Sequence, residues 1–171
     1  MEGLSLAHNI GDENHSNYHT REQILACDDP IGFDGVYRSV YKNQDVLKDK
    51  SGIMFVMGNF LGGNNEFDLK NVPRLERYCT LDEVKELCSL YAFEIGWHTW
   101  SHRNLCQLSE KEILQEIAAP FRTRYLRYHY GEYCNKVIDC VKRAGYEKAF
   151  SVTQGVGDHP YKIFSNYVER I

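Results

Sequence analysis

Phe93-Glu94-Ile95-Gly96-Trp97-His98-Thr99-Trp100-Ser101-His102 runs from a short apolar segment straight into two histidines four residues apart. Phe93 to Trp97 reads as a strand, so both imidazoles follow its carboxyl end, where parallel α/β sheets gather their active groups. Working outward, short apolar runs alternate with helical periods. Gln23 to Cys27 is strand-like, Val36 to Lys48 places Val36, Val40 and Leu47 at helical spacing, and Gly52 to Met57 is a buried-strand run. Thr80-Leu81-Asp82-Glu83 and Ser109-Glu110-Lys111-Glu112 are capping boxes, each predicting a helix start. Tyr125 to Tyr128 is a short strand, and Tyr133 to Ala144 is an amphipathic helix stopped by Gly145. Lys148 to Thr153 and Tyr167 to Ile171 are further strands. About five alternations of strand and helix predict an α/β fold with a mainly parallel sheet.

The 171 residues suit one domain, and 43% apolar content is enough to bury a core. Residues 1–20 form an irregular polar lead-in carrying His8, His15 and His19, so the single folded domain is expected over 21–171. With 20 Lys+Arg against 24 Asp+Glu the formal charge is −4, which disfavours nucleic-acid binding through phosphate neutralisation. No apolar run reaches the ~20 residues of a transmembrane segment, and residues 1–12 lack a signal-peptide pattern. Six scattered cysteines without a Cys-x-x-Cys pair read as reduced thiols. The expected location is the cytoplasm.

His98 and His102 both project from one side of a turn, where they can reach a divalent metal. A solvated pair at this spacing is the plainer alternative. Asp28-Asp29-Pro30 follows the strand predicted at 23–27 and offers a carboxylate; two histidines and one acid make a site with open positions for water and substrate. The second acid of that pair can then take a proton from water. An ordinary turn is the competing reading of Asp-Asp-Pro. In Arg127-Tyr128-His129-Tyr130-Gly131, Arg127 can keep a carboxylate ionised, and the amides at the turn can hold an oxyanion.

Taken in order, these segments resemble the polysaccharide deacetylase family, the NodB-homology group or carbohydrate esterase family four. His98-Thr99-Trp100-Ser101-His102 is similar to its H-[ST]-x-x-H motif, and Arg127-Tyr128-His129-Tyr130-Gly131 to its Arg followed by Pro-Tyr-Gly. The resemblance implies a distorted (β/α) barrel that hydrolyses the N-acetyl group of an amino sugar and releases acetate. It implies that Asp29, His98 and His102 bind a divalent metal, zinc or in some members cobalt. Asp28 would be the general base, Arg127 its positioning partner and the Tyr130 backbone N–H an oxyanion donor.

Three departures mark this chain. Pro30 stands where the family's first motif has Gly, and Phe33-Asp34-Gly35 competes for that motif with one acid missing, which makes Asp34 the reserve acid. His129 replaces the usual Pro. The late Leu-x-x-His is absent, leaving His159 in Asp158-His159-Pro160 as the general-acid candidate, with a surface turn as its plainer reading and His129 as the alternative acid. The expected partner is an N-acylated sugar. Deacylation of a lipid- or nucleotide-linked sugar, deformylation, and a non-catalytic carbohydrate-binding relative are the alternatives.

Overall fold

Strands stack here in sequence order. The computed structural model describes residues 21–28, 30–69, 75–151 and 163–164. The lead-in 1–20, Asp29, His159 and the strand predicted at 167–171 lie outside the described residues. The strands are β1 (Ile31–Asp34), β2 (Ser51–Val56), β3 (Ala92–Trp97), β4 (Tyr125–Arg127), β5 (Lys148–Ser151) and β6 (Ile163–Phe164), and each pairs in parallel with the next. Such order, with helices as crossovers, traces the arc of a distorted (β/α) barrel, as the resemblance implies.

Register decides what meets at the rim. Asp34 pairs with Phe55, Val56 with Trp97, and Trp97 with Leu126, so the last residues of β1, β2, β3 and β4 finish side by side. Between sheet and helices lies the main core, with Phe33, Met54, Val56 and Trp97 packed together with Val84, Leu87, Ile113, Val137 and Val141. Alternate residues of the strands feed a second cluster of Ile53, Phe55, Tyr125 and Phe150. Gly96 belongs to this face: a Cβ there would come within 2.4 Å of the Phe55 ring, so a side chain is excluded.

The helices are α1 (Arg21–Ala26), α2 (Arg38–Lys42), α3 (Leu81–Leu90), α4 (Glu110–Glu116) and α5 (Asn135–Arg143). Both capping boxes form as read: Thr80 with Glu83 opens α3, and Ser109 with Glu112 opens α4. Beyond α5, Gly145 takes φ +84, the left-handed conformation expected of it. The helical period at 36–48 resolves into α2 and a 3₁₀ turn at Gln44–Leu47, broken at Asn43.

One expectation fails. Gln23 to Cys27 is not a strand: Gln23 to Ala26 lie in α1, whose straight-chain residues favour helix and whose Ile24 is fully buried, and Cys27 follows its end. The Lys50 ammonium donates to the Leu25 and Cys27 carbonyls, both at 2.7 Å, and so satisfies the end of this helix. The first strand comes later, at Ile31–Asp34, where all four residues are buried. A strand covered on both faces shows no alternation, and four residues are too few for a periodic signal.

Candidate active site

Because β1 ends at Asp34, that carboxylate stands at the rim and Asp28 does not. Asp28 is exposed in the connection ahead of β1, at the opposite end of the strand. Asp34 is buried and forms an ion pair with Arg127 at the end of β4, Nε to Oδ2 at 2.6 Å, with the Arg127 side chain entirely inaccessible. The guanidinium also lies 5.7 Å over the Phe55 ring. Burial pushes the Asp34 carboxyl up to about 6, against the opposing attraction of Arg127 and His102. Its other oxygen, Oδ1, is buried without a hydrogen-bond partner.

The segment after β3 is a tight loop. Gly58 N–H donates to the Thr99 carbonyl at 3.0 Å, and Asn59 N–H to the Trp100 carbonyl at 2.9 Å, tying the loop to the end of β2. From the other side the Glu116 carboxylate accepts the Trp100 and Ser101 backbone N–H groups at 3.0 and 2.9 Å, and the Ser101 hydroxyl as well. Thr99 and His102 adopt φ +65 and +60, and Tyr130 across the cleft φ +52. Left-handed backbone at non-glycine residues costs free energy, and here the surrounding hydrogen bonds impose it.

This loop carries His98 to a buried position where its Nδ1 donates to the Arg127 carbonyl at 3.0 Å, leaving Nε2 for a ligand. Burial holds its pKa down to about 3, so the ring is neutral near pH 7. His129 comes from the turn after β4 and lies against both other imidazoles, with ring centroids 3.9 Å from His98 and 3.7 Å from His102. Burial, then the neighbouring His98 and His102, keep its pKa well below the ordinary value. One ring nitrogen from each of His98, His102 and His129 lies within 4.8 Å of the others, a grouping that can hold a metal ion.

Asp34, His98 and His102 line one cleft together with Tyr37, Tyr78 and Phe67. Phe67 and Tyr130, both exposed, flank His102 at 5.3 and 5.1 Å between ring centroids. The structure thus brings together His98, His102, Arg127 and Tyr130 of the expected set with Asp34, the reserve acid, and His129, the alternative acid. The signal for Asp34 was its apolar lead and following glycine; for His129 it was the substitution at a Pro position. All six cysteines are described, and none forms a disulfide.

A parallel barrel arc thus carries an acid–arginine pair and clustered histidines at its carboxyl rim. The family model for polysaccharide deacetylase matches residues 31–149, and the chain belongs to that family. Among solved structures, IcaB from Ammonifex degensii superposes with TM-score 0.65 at 19% identity, covering 84% of this chain and 67% of that one. The Streptococcus pyogenes deacetylase PplD, determined with acetate, gives 0.62 at 19% identity over 84% and 64%. A de-N-acetylase from Aggregatibacter actinomycetemcomitans gives 0.63 at 14% identity over 83% and 70%. These likenesses establish the fold, and the chain spans about two thirds of the length of those structures. No curated protein sequence matches it. Among the described residues no helix is long and apolar enough to cross a membrane.

Proposed function

We propose that this chain is a metal-dependent hydrolase that removes the N-acetyl group from an amino sugar in a polysaccharide, oligosaccharide or glycan precursor. The buried Asp34–Arg127 pair beside the histidine cluster, within a polysaccharide deacetylase fold, carries the reading. Imidazole nitrogens without thiolates suit zinc first, with cobalt or another transition ion as alternatives. His98 and His102 would hold the cation, and His98 already has the tautomer a ligand needs, its Nδ1–H fixed on a backbone carbonyl. Bound there, a divalent cation supplies Lewis acidity toward the acyl carbonyl and lowers the pKa of water.

The chain's own groups do the rest. Arg127 grips Oδ2 of Asp34, which leaves Oδ1 to accept the proton of the attacking water. A carboxyl raised to about 6 is mostly ionised at neutral pH yet more basic than an exposed one. This moves the base role from Asp28, the residue the resemblance implied, to Asp34. The Tyr130 backbone N–H would stabilise the oxyanion as the water oxygen joins the carbonyl carbon. When the C–N bond breaks, the departing amine takes a proton, for which His159 is the proposed donor. Phe67 and Tyr130 give the sugar two aromatic faces at the mouth.

The test is release of acetate or formate from a panel of N-acyl amino sugars, with and without a chelator. Chelator-sensitive acetate release is the expected result. Formate release alone would identify a deformylase, and sugar binding without turnover by metal-loaded protein would overturn the hydrolase reading.

A further inference from the structure

We propose that His129 is a direct metal ligand through Nδ1, so that His98, His102 and His129 hold one transition-metal dication by three imidazole nitrogens. This rests on the reading above that the cleft holds a cation, and changes which residue completes the site. The Nε2 of His129 lies 2.8 Å from the His98 carbonyl oxygen and 2.6 Å from the Thr99 hydroxyl. A carbonyl only accepts, so Nε2 carries the proton and Nδ1 keeps its lone pair. That Nδ1 is buried and has no hydrogen-bond partner.

An orphaned nitrogen lone pair in the interior is costly unless something electropositive meets it. Here two other imidazoles lie against the His129 ring, and one nitrogen of each of the three histidines is within 4.8 Å of the others. His98 and His129 share one construction: each commits one ring N–H to a backbone carbonyl, which leaves the opposite nitrogen with its lone pair. This is the outer support that fixes a ligating histidine's tautomer. The same construction excludes His129 as a proton donor toward the cleft, since its one ring proton is spent on His98 and Thr99.

The carboxylates point the same way. Among the described residues no Asp or Glu joins the three-histidine grouping, and Asp34 is engaged with Arg127. An all-nitrogen triad therefore frees Asp34 for proton transfer alone. Three neutral ligands leave the full +2 charge on the site, a stronger Lewis acid than one with a carboxylate ligand.

The experiment is a zinc titration of the whole chain followed by histidine ring ¹⁵N NMR, alongside metal-affinity measurements on His129→Gln. Gln can keep a side-chain N–H toward the His98 carbonyl while removing the Nδ1 lone pair, which preserves the fold. On zinc addition the His129 Nδ1 resonance should move while Nε2 keeps its proton. Zinc affinity of His129→Gln should drop by more than the ~10–100-fold that follows loss of an outer-shell partner. An unmoved Nδ1, or unchanged affinity in a folded His129→Gln, overturns the proposal while leaving a metal at His98 and His102 intact. Absence of any zinc-induced change at all three histidines overturns both readings.

Discussion

Glu116 at the end of α4 holds Trp100 in the loop after β3, its Oε2 accepting the Trp100 backbone N–H at 3.0 Å. With the Ser101 amide on the same oxygen, one carboxylate fixes the segment between the two histidines. Glu116→Ala should therefore leave two loop amides unsatisfied and weaken metal retention by ~10–100-fold. Competition titration with a metal chelator measures this; unchanged affinity would show that the loop holds itself.

Gly58 faces the other side of the same loop. A Cβ there would sit 2.1 Å from the Trp100 ring, which is itself anchored by its Nε1 donating to the Ala118 carbonyl at 2.9 Å. Gly58→Ala should displace Trp100 and lower stability by ~1–3 kcal/mol, as overpacking of a filled interior does. A thermal melt with tryptophan fluorescence reports both the loss and its location.

Asp34→Asn removes the proposed base while nearly preserving shape. Acetate release should fall by ~10²–10⁴-fold with zinc content unchanged. Melting temperature should fall too, because Arg127 is left buried without a counter-charge. Replacing both partners, Asp34→Leu with Arg127→Met, should recover stability but not turnover, which separates the two roles in one pair of assays.

In metal-free protein, acid should be destabilising below pH 6.5. His98 titrates near 6.5 when unfolded and at about 3 when folded, so between those values the unfolded chain binds more protons and stability falls as pH falls. His129 acts in the same sense. Asp34 opposes them: its folded pKa of about 6 exceeds the ordinary 3.8, so protonation across that window favours the folded state. Two histidines outweigh one acid, and denaturant melts between pH 7 and 4 should show a net decline. Replacing His98 by Gln should flatten it.

Much of this architecture was legible because its signals are local. Thr80 and Ser109 announce helix starts by side-chain chemistry alone, and Phe93 to Trp97 leads into its histidines without interruption. The first strand was not legible, since Ile31–Asp34 is short and buried on every residue, while the neighbouring Asp28-Asp29 spells the more familiar pair of acids. Only the register of β1 against β2 tells which acid reaches the rim, and that is a long-range property. His129 was visible as an oddity in a motif, but its tautomer depends on the His98 carbonyl, which the chain order does not disclose.

The Asp34–Arg127 contact also constrains how this molecule can change over time. Its cation sits inside the barrel with no access to solvent, so discarding the acid alone would strand a charge in the interior. A descendant that abandons chemistry but stays folded must alter both positions nearly together. Paired loss of acid and arginine is thus the genetic mark by which retired copies of this scaffold can be told from working ones.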